Sequence, residues 1–153
     1  LNRGVSAASI WCLHQIRLID EIDQEGGKMM RIGLWAYKDK DWYPFPIFYL
    51  YNLLTRFIRP DSRVLETRVT LPDELKCACV SYDGRYTVLI VNLTDTIKEF
   101  LIKGIDPGSK MKKFIYSESQ YVFEPVETAL TKPEKYLKDK ILPRSVILFT
   151  ELD

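Results

Sequence analysis

The chain has 153 residues, which is enough for one ordinary domain with a sizeable core. Hydrophobic residues make up 46% and charged residues 28%, as in a globular protein, and the formal net charge is +1. Because the basic residues are scattered and the charge is near zero, neither a nucleic-acid partner nor an anionic membrane is favoured. No apolar run reaches the length of about 18 residues that a membrane-spanning helix needs.

The first predicted element is a buried strand at residues 4–13, with small residues alternating with apolar ones and Trp11 near its end. No hairpin partner follows it directly, which is typical of a parallel sheet or barrel. The charged residues 14–31 predict a loop with a short helix between Ile16 and Ile22. Because the chain starts at Leu1 rather than at a methionine, we expect a piece of a longer polypeptide.

The next predicted element is a helix at residues 44–58 that is apolar on almost every side. Pro44 or Pro46 suits its first turn, where the missing N–H costs nothing, and Pro60 closes it. If such a helix were exposed, its apolar patch would exceed the roughly 300–600 Å² found on monomers. The helix is therefore predicted to be clamped on two sides, as a joint between two domains of which one is mostly missing.

From Ser62 onward the apolar pattern has a period of two, which predicts short strands. Turns every 8–12 residues or so, Asp83-Gly84 among them, indicate an antiparallel β-sandwich of about six to eight strands. Residues 119–141 are predicted to be a long loop with one edge strand at 121–126. The main predicted strands are 62–69, 75–82, 86–94, 97–104, 110–118 and 143–152.

The cysteines and the single histidine predict no metal or disulfide chemistry. Cys12, Cys77, Cys79 and His14 have neither the spacing of a zinc site nor the even cysteine count of a disulfide framework. We interpret the thiols as buried and free, which favours a cytoplasmic location, and we expect no cofactor. Residues 92–94 match the N-glycosylation pattern, but the pattern is short and common, and we interpret it as chance.

Three local patterns follow one another along the first part of the chain. They are S-I-W-C-L-H-Q at 9–15, G-L-W at 33–35 and P-x-F-Y-L-Y-N-L-L at 46–54. In this order they resemble the last βα unit of the (β/α)8-barrel glycoside hydrolases of clan A, the xylosidase- and arabinofuranosidase-like families among them. Those enzymes commonly carry a small β-sandwich after the barrel, and its last strand often resembles L-P-x-S-V-x-x-F, which stands at 142–149 here.

The resemblance implies two domains. Residues 1–60 would be the incomplete last βα unit of the barrel, and residues 61–153 the C-terminal β-sandwich. Within the first unit, residues 5–11 would form the eighth barrel strand and residues 44–58 the eighth helix.

The resemblance also implies substrate-binding residues. Trp11 would form the floor of the sugar site, where the apolar face of a sugar ring packs on an indole. An ordinary core position is the alternative for Trp11. His14 and Gln15 stand where these enzymes often carry a polar residue, commonly Asp, so their role departs from the family pattern. Three aromatic residues further along the chain either line the rim of the sugar site or pack against helix 44–58. They are Trp35, Tyr37 and Trp42.

No catalytic residue is predicted in this chain. In clan A two glutamates act, an acid/base at the end of the fourth strand and a nucleophile at the end of the seventh, and both would lie upstream of Leu1. Retaining hydrolysis needs the two carboxyls about 5–5.5 Å apart. The chain alone is therefore expected not to hydrolyse glycosides. Expected partners are a carbohydrate, through the parent enzyme, and either the missing barrel or a second copy at helix 44–58.

Two other functions are compatible with the sequence. The first is a complete carbohydrate-binding module, favoured if Trp35, Trp42 and Tyr43 make an exposed flat platform beside the sheets. The second is a purely structural domain that covers a barrel and binds nothing. Few aromatic residues of the predicted strands are expected to be exposed; the exceptions are Tyr82, Tyr86 and Tyr116. This small number speaks against a dedicated lectin surface.

Overall fold

The computed structural model describes residues 12–14, 16–17, 29–30, 33–38, 41–105, 110–117, 127–130 and 136–153. Within these residues it contains thirteen strands and one α-helix. Apart from one parallel pair, the described strands pair antiparallel, so the prediction of a mainly β fold with antiparallel sheets is confirmed.

The N-terminal part combines short strands with one parallel pairing. Of the predicted strand 4–13, only the last two residues lie within the described part of the chain. Strand β1 pairs parallel with β4, β4 pairs antiparallel with β5, and β2 pairs with β3. The helix predicted from Ile16 is wrong at its start, because Ile16 lies in β2. The bounds are β1 Cys12–His14, β2 Ile16–Arg17, β3 Met29–Met30, β4 Gly33–Lys38 and β5 Asp41–Pro44.

Helix α1, Pro46–Phe57, follows β5 and matches the helix predicted at 44–58 to within two residues. Pro46 occupies the first turn, as predicted, and Phe45 before it is extended. The Phe45 N–H donates to the carbonyl of Leu34 at 2.8 Å, which fixes the start of the helix beside β4. Its last turn closes where the Ile58 N–H donates to the Leu54 carbonyl at 2.8 Å.

Two antiparallel sheets follow the helix. The large sheet has the strand order β11–β10–β13–β8–β7–β6, and the small sheet pairs β9 with β12. The strands of the large sheet are β6 Arg63–Leu65, β7 Leu75–Tyr82, β8 Arg85–Asn92, β10 Lys110–Tyr116, β11 Glu127–Leu130 and β13 Val146–Thr150. Those of the small sheet are β9 Lys98–Lys103 and β12 Tyr136–Ile141.

The turn between β7 and β8 is the two-residue hairpin that the Asp83-Gly84 pair predicts. Tyr82 and Arg85 are register partners on either side of it. Both central residues have positive φ, 51° at Asp83 and 72° at Gly84, which is the type I′ geometry. Asp tolerates this conformation and Gly adopts it freely, so the dipeptide sets the register of the hairpin.

The large sheet is covered on both faces. On one face it packs against the small sheet through a core that includes Val88, Ile90 and Phe149 from the large sheet and Leu137 and Ile141 from β12. On the other face it packs against α1, in a cluster formed by Leu53 and Phe57 with Phe114, Leu148 and Leu152. The rings of Phe57 and Phe114 lie 4.9 Å apart. The order of layers is therefore small sheet, large sheet, helix.

The sequence prediction was least accurate for residues 119–141 and for the length of strand β6. Residues 119–141 were predicted to be a long loop, but β11 and β12 lie within that range. The edge strand predicted at 121–126 falls outside the described residues. Strand β6 is shorter than predicted, since it ends at Leu65.

Candidate functional site

Two of the four predicted substrate-binding residues lie next to each other on neighbouring strands. His14 on β1 and Trp35 on β4 are Cα partners in the parallel pairing of these strands. Trp11 and Gln15 lie outside the described residues. The pairing brings the backbones of His14 and Trp35 together, and their role in sugar binding stays a prediction.

The indole of Trp35 is partly buried and packs on the first turn of α1. Its ring lies 4.9 Å from that of Phe48, at an interplanar angle of 58°. This contact matches the interpretation in which Trp35 packs against the helix, and its place at a sugar rim stays a prediction. Tyr37 and Trp42 are Cα partners across β4 and β5.

An exposed apolar surface borders this aromatic contact. Tyr43 is 42% exposed and Ile47 38% exposed. The ring of Tyr43 meets that of Phe45 edge-on, with centroids 5.9 Å apart. Since Leu53 and Phe57 are the buried residues of α1, the start of the helix keeps apolar surface free. We call Tyr43 and Ile47 the helix-start patch.

Three exposed carboxylates are held in ion pairs. Asp95 accepts two hydrogen bonds from Arg144, at 2.7 and 3.1 Å, and these lower the pKa of its carboxyl. Hydrogen bonds from Lys140, together with the charge of Lys138, lower the pKa of Glu99. Lys112, 2.6 Å away, lowers that of Asp153. A general acid needs a raised pKa, so these groups suit surface ion pairs rather than catalysis.

A cleft of about 840 Å³ lies between the two sheets. Its floor is formed by residues of β7 and β8, among them Cys77, Cys79, Val88 and Ile90. Both thiols of β7 line it, and burial raises their pKa, to about 11 for Cys79. The cysteines were predicted to be buried; within the described residues, Cys77 and Cys79 form no disulfide and are only partly buried. Within the described part of the chain, no group of three or more His, Cys, Asp or Glu side chains is placed to hold a metal ion.

Asn92, in the glycosylation pattern, is a structural residue. Its side chain is 2% exposed, and its Nδ2 donates to the carbonyls of Thr96 at 2.8 Å and Leu142 at 2.9 Å. Its Oδ1 accepts from the N–H and the hydroxyl of Thr94, at 2.9 and 2.8 Å. The nitrogen that a glycan would modify is thus enclosed by loop carbonyls, in agreement with the interpretation of the pattern as chance.

The helical part of the described chain offers no candidate for a membrane span. Helix α1 has 12 residues, fewer than the about 20 that cross a bilayer.

No protein-family model matches the chain, and no curated protein matches its sequence. Solved structures do match its fold. A xylanase of glycoside hydrolase family 30, subfamily 8, from Clostridium acetobutylicum has a TM-score of 0.67 at 10% identity, over 79% of this chain and 31% of its own. The catalytic domain of xylanase C of family 30 from Talaromyces cellulolyticus has a TM-score of 0.64 at 21% identity, over 78% and 27%.

A family 30 endoxylanase from Clostridium papyrosolvens gives a TM-score of 0.62 at 11% identity, over 70% of this chain and 28% of its own. The chain therefore spans less than a third of the length of these three enzymes. Identities this low show a shared fold, and the shared fold is confined to one part of each larger enzyme.

Proposed function

We propose that this chain is the C-terminal part of a glycoside hydrolase. In this proposal residues 1–60 complete a catalytic (β/α)8 barrel, and residues 61–153 form a non-catalytic accessory β-sandwich. The observation that carries it is the match over 70–79% of this chain to only 27–31% of each of three family 30 xylanases. Because those three are xylanases, the proposed substrate of the parent enzyme is a β-linked plant polysaccharide of the xylan class.

The contacts of α1 support a joint between two domains. Its first turn packs on Trp35 through Phe48, and its last turn packs on the large sheet through Phe57. The helix-start patch, which precedes both contacts along the chain, remains exposed. In the intact enzyme the rest of the barrel would cover the patch, since apolar surface at a domain joint is normally buried.

The proposed role of the N-terminal unit is to supply one wall of the sugar site. Trp11 would give the apolar floor on which a sugar ring stacks, and His14 and Gln15 would hydrogen-bond its hydroxyls. The adjacency of His14 and Trp35 on parallel strands supports a common site. Both catalytic glutamates would come from the barrel strands upstream of residue 1.

The decisive experiment compares the chain with the polypeptide encoded by its full gene. The chain alone is expected not to hydrolyse xylan or an aryl β-xyloside, whereas the full polypeptide is expected to hydrolyse one of them. In the full polypeptide, Trp11→Ala should raise KM about tenfold, since loss of one stacking contact costs about 1.4 kcal/mol. Val64→Ala, at an exposed position on β6, is the matched control and should leave KM unchanged.

Hydrolysis by the isolated chain would overturn the non-catalytic role. An upstream sequence without two glutamates at strand ends would overturn the parent's assignment as a retaining glycosidase.

A second candidate function is carbohydrate binding by the chain itself. It is favoured by the exposure of Tyr43 in a strip that also contains Trp35, Phe45 and Phe48. Calorimetric titration with xylo- and arabino-oligosaccharides tests it, with Tyr43→Ala as the variant that should lose binding. No heat at millimolar sugar would exclude this function and leave a purely structural role for the isolated chain.

A further inference from the structure

Two of the three cysteines lie two positions apart on β7 and share one of its faces. Cys77 pairs in register with Ile90 and Cys79 with Val88, and all four residues line the cleft between the two sheets. Both cysteine side chains pack against the core that lies on this face. Because side chains alternate along a strand, the two thiols stand side by side and Ala78 between them belongs to the opposite face.

The spacing of these two thiols is too wide for a disulfide. Consecutive residues on one face of a strand have Cα atoms about 6.6–6.8 Å apart, which is twice the rise per residue. Their Cβ atoms point in the same direction at a similar separation, whereas a disulfide needs about 3.5–4.5 Å between them. In agreement with this geometry, Cys77 and Cys79 form no disulfide.

The same spacing suits a metal ion held between the two sulfur atoms. A thiolate–metal bond is about 2.3 Å long, so a linear sulfur–metal–sulfur unit spans about 4.6 Å. Each side chain then leans towards the other by about 1 Å, which the choice of staggered χ1 rotamers allows. Burial and, second to it, the charge of Cys77 raise the pKa of the Cys79 thiol, which also indicates that the two sulfur atoms are close neighbours.

The number and kind of donor atoms decide which cation fits. Thiolate sulfur is a soft ligand that selects copper(I), zinc or iron–sulfur clusters. Structural zinc sites almost always use four protein ligands. Over the ranges that the structure describes, the two thiols belong to no group of three or more His, Cys, Asp or Glu side chains suited to a metal. A pair of thiolates therefore favours copper(I), for which linear two-coordination is an ordinary geometry.

The neighbours of the thiols provide both shielding and access. The side chains of Tyr86, Val88 and Ile90 line the same cleft, and a hydrophobic shell limits the access of water to a bound metal. The thiols themselves are only partly buried, so a cation can reach them without separation of the two sheets.

We infer that Cys77 and Cys79 form a two-coordinate site for a soft monovalent cation of the copper(I) class. The two S–H groups release their protons to water, and each sulfur donates an electron pair to the metal. The products are one anionic bis-thiolate complex and two protons, so charge is conserved and neither sulfur nor metal is oxidised or reduced. The inference goes beyond the proposed function and does not depend on it.

The test titrates the reduced 153-residue chain with the copper(I) complex of bicinchoninate, a coloured chelator, under argon. The chain should take up one equivalent of copper(I) and release two protons per ion, because burial raises the pKa of both thiols and both are protonated at pH 7. The amide NMR signals of residues 77–79 and 88–90 should shift. Zinc(II) at the same concentration should leave these signals unchanged.

Single substitutions distinguish a bridged cation from two independent thiols. Cys77→Ser and Cys79→Ser should each lower the affinity for copper(I) at least about 100-fold, because the second thiolate on the same strand binds intramolecularly. The double variant should lose little more than either single one. Cys12→Ser is the matched control and should bind copper(I) like the wild type.

A variant with its thiols on opposite faces of β7 tests the geometry directly. Ala78→Cys combined with Cys79→Ser keeps two thiols on this strand but places the backbone between them. It should bind copper(I) as weakly as Cys79→Ser alone. Circular dichroism of each variant, compared with that of the wild type, establishes that the fold is retained.

Copper(I) binding that survives in either single serine variant, or in the variant with opposed thiols, would overturn the inference. Loss of binding in Cys12→Ser would also overturn it, by assigning the metal to a different set of thiols. So would a wild-type chain that takes no copper(I) from the chelator, or one that forms a Cys77–Cys79 disulfide instead.

Discussion

At the scale of single residues, Asn92 and its neighbour Leu93 join three loops at one end of the β-strands. Its amide group bonds to backbone atoms of the 92–98 and 141–145 segments, and the Leu93 N–H donates to the Glu74 carbonyl at 2.9 Å. A buried amide with both donors and acceptor satisfied is specific for Asn, because no other side chain of this size offers the same set. The residue thus fixes where the chain crosses from the large sheet to the small one.

Asn92→Asp is expected to destabilise the chain strongly. The carboxylate has no N–H to give to the three carbonyls around it, and it would be buried beside them. Loss of these bonds should lower the free energy of unfolding by about 2–4 kcal/mol. Urea denaturation measures this, with Asn52→Asp at a half-exposed position of α1 as the control. Equal effects of the two substitutions would contradict the role of Asn92.

The Cys79 thiol should react slowly, and its ionisation should be linked to stability. Burial raises its pKa from 9.0 to about 11, with smaller contributions from Cys77 and Glu151. A two-unit shift lowers the thiolate fraction at pH 8 about 100-fold, and the higher nucleophilicity of the anion recovers about tenfold. Maleimide labelling should therefore be about tenfold slower in the folded chain than in urea. Equal rates would contradict the burial of the thiol.

The sign of the linkage follows from the direction of the shift. Because the folded pKa lies above the unfolded one, the neutral thiol is favoured in the folded state. Its contribution to stability is full below about pH 9 and is lost as the pH rises towards about 11. The Cys79→Ala variant should show a smaller fall in the free energy of unfolding over this interval.

At the scale of the strands, a buried ion pair joins the two sheets. Lys113 on β10 and Asp139 on β12 lie 2.7 Å apart, and their side chains are 8% and 21% exposed. Both point into the space between the sheets, among the apolar residues of the shared core. Because burial shields the pair from water, the attraction between the two charges is stronger than it would be at the surface.

Asp139→Asn should cost about 2 kcal/mol, because the largely buried Lys113 ammonium would lose the charged acceptor 2.7 Å away. The matched control is Asp95→Asn, which breaks the exposed pair with Arg144 and should cost less than about 1 kcal/mol. Chemical denaturation of both variants gives the comparison. A cost for Asp139→Asn as small as that of the control would show that the pair is not effectively buried.

The same ion pair explains why β12 could not be predicted from the sequence. Leu137, Asp139 and Ile141 all face the core, and the aspartate in the middle breaks the apolar alternation that marks a strand. Lys113, which pairs with the Asp139 carboxylate, is 26 positions earlier in the chain, so no local sequence pattern reveals that the charge of Asp139 is compensated. Strand β7 was predicted to the residue, by contrast, because its pattern and the Asp83-Gly84 turn are both local signals.

For the candidate site, the sequence offered only a resemblance, and the role of the residues it named stays a prediction. That resemblance pointed to His14 and Trp35, which the fold brings together. The cleft between the two sheets was missed, since it depends on how residues 65–71 and 99–105 lie across from each other. Such a pairing of distant segments leaves no periodic signal in either one.

At the scale of the whole molecule, α1 is packed on one side and open on another. Leu53 and Phe57 are buried against the large sheet, whereas the helix-start patch remains exposed. The helix is therefore not wholly enclosed by its own chain, and its role as a joint between two domains stays a proposal. A second copy of the chain could cover this patch.

The isolated chain is accordingly expected to self-associate through the helix-start patch. Its sedimentation coefficient should rise with concentration, and Ile47→Lys should abolish the rise by placing a charge in the apolar contact. Val64→Lys, at a similarly exposed apolar position on β6, is the control and should leave it intact. A wild-type chain that sediments as a monomer at all concentrations would contradict this prediction.

The coverage of the large sheet on both faces has a consequence for amide exchange. Val88 and Phe149 face the small sheet, while Leu89 and Leu148 on the same two strands face the helix. The amides of β8 and β13 can therefore exchange with deuterium only when the whole β unit opens, whereas those of the edge strand β6 exchange through local fraying. The slowest rates on the two central strands thus provide an internal standard for the global free energy of unfolding. Earlier loss of the Val88 signal than of the Val64 signal would contradict this.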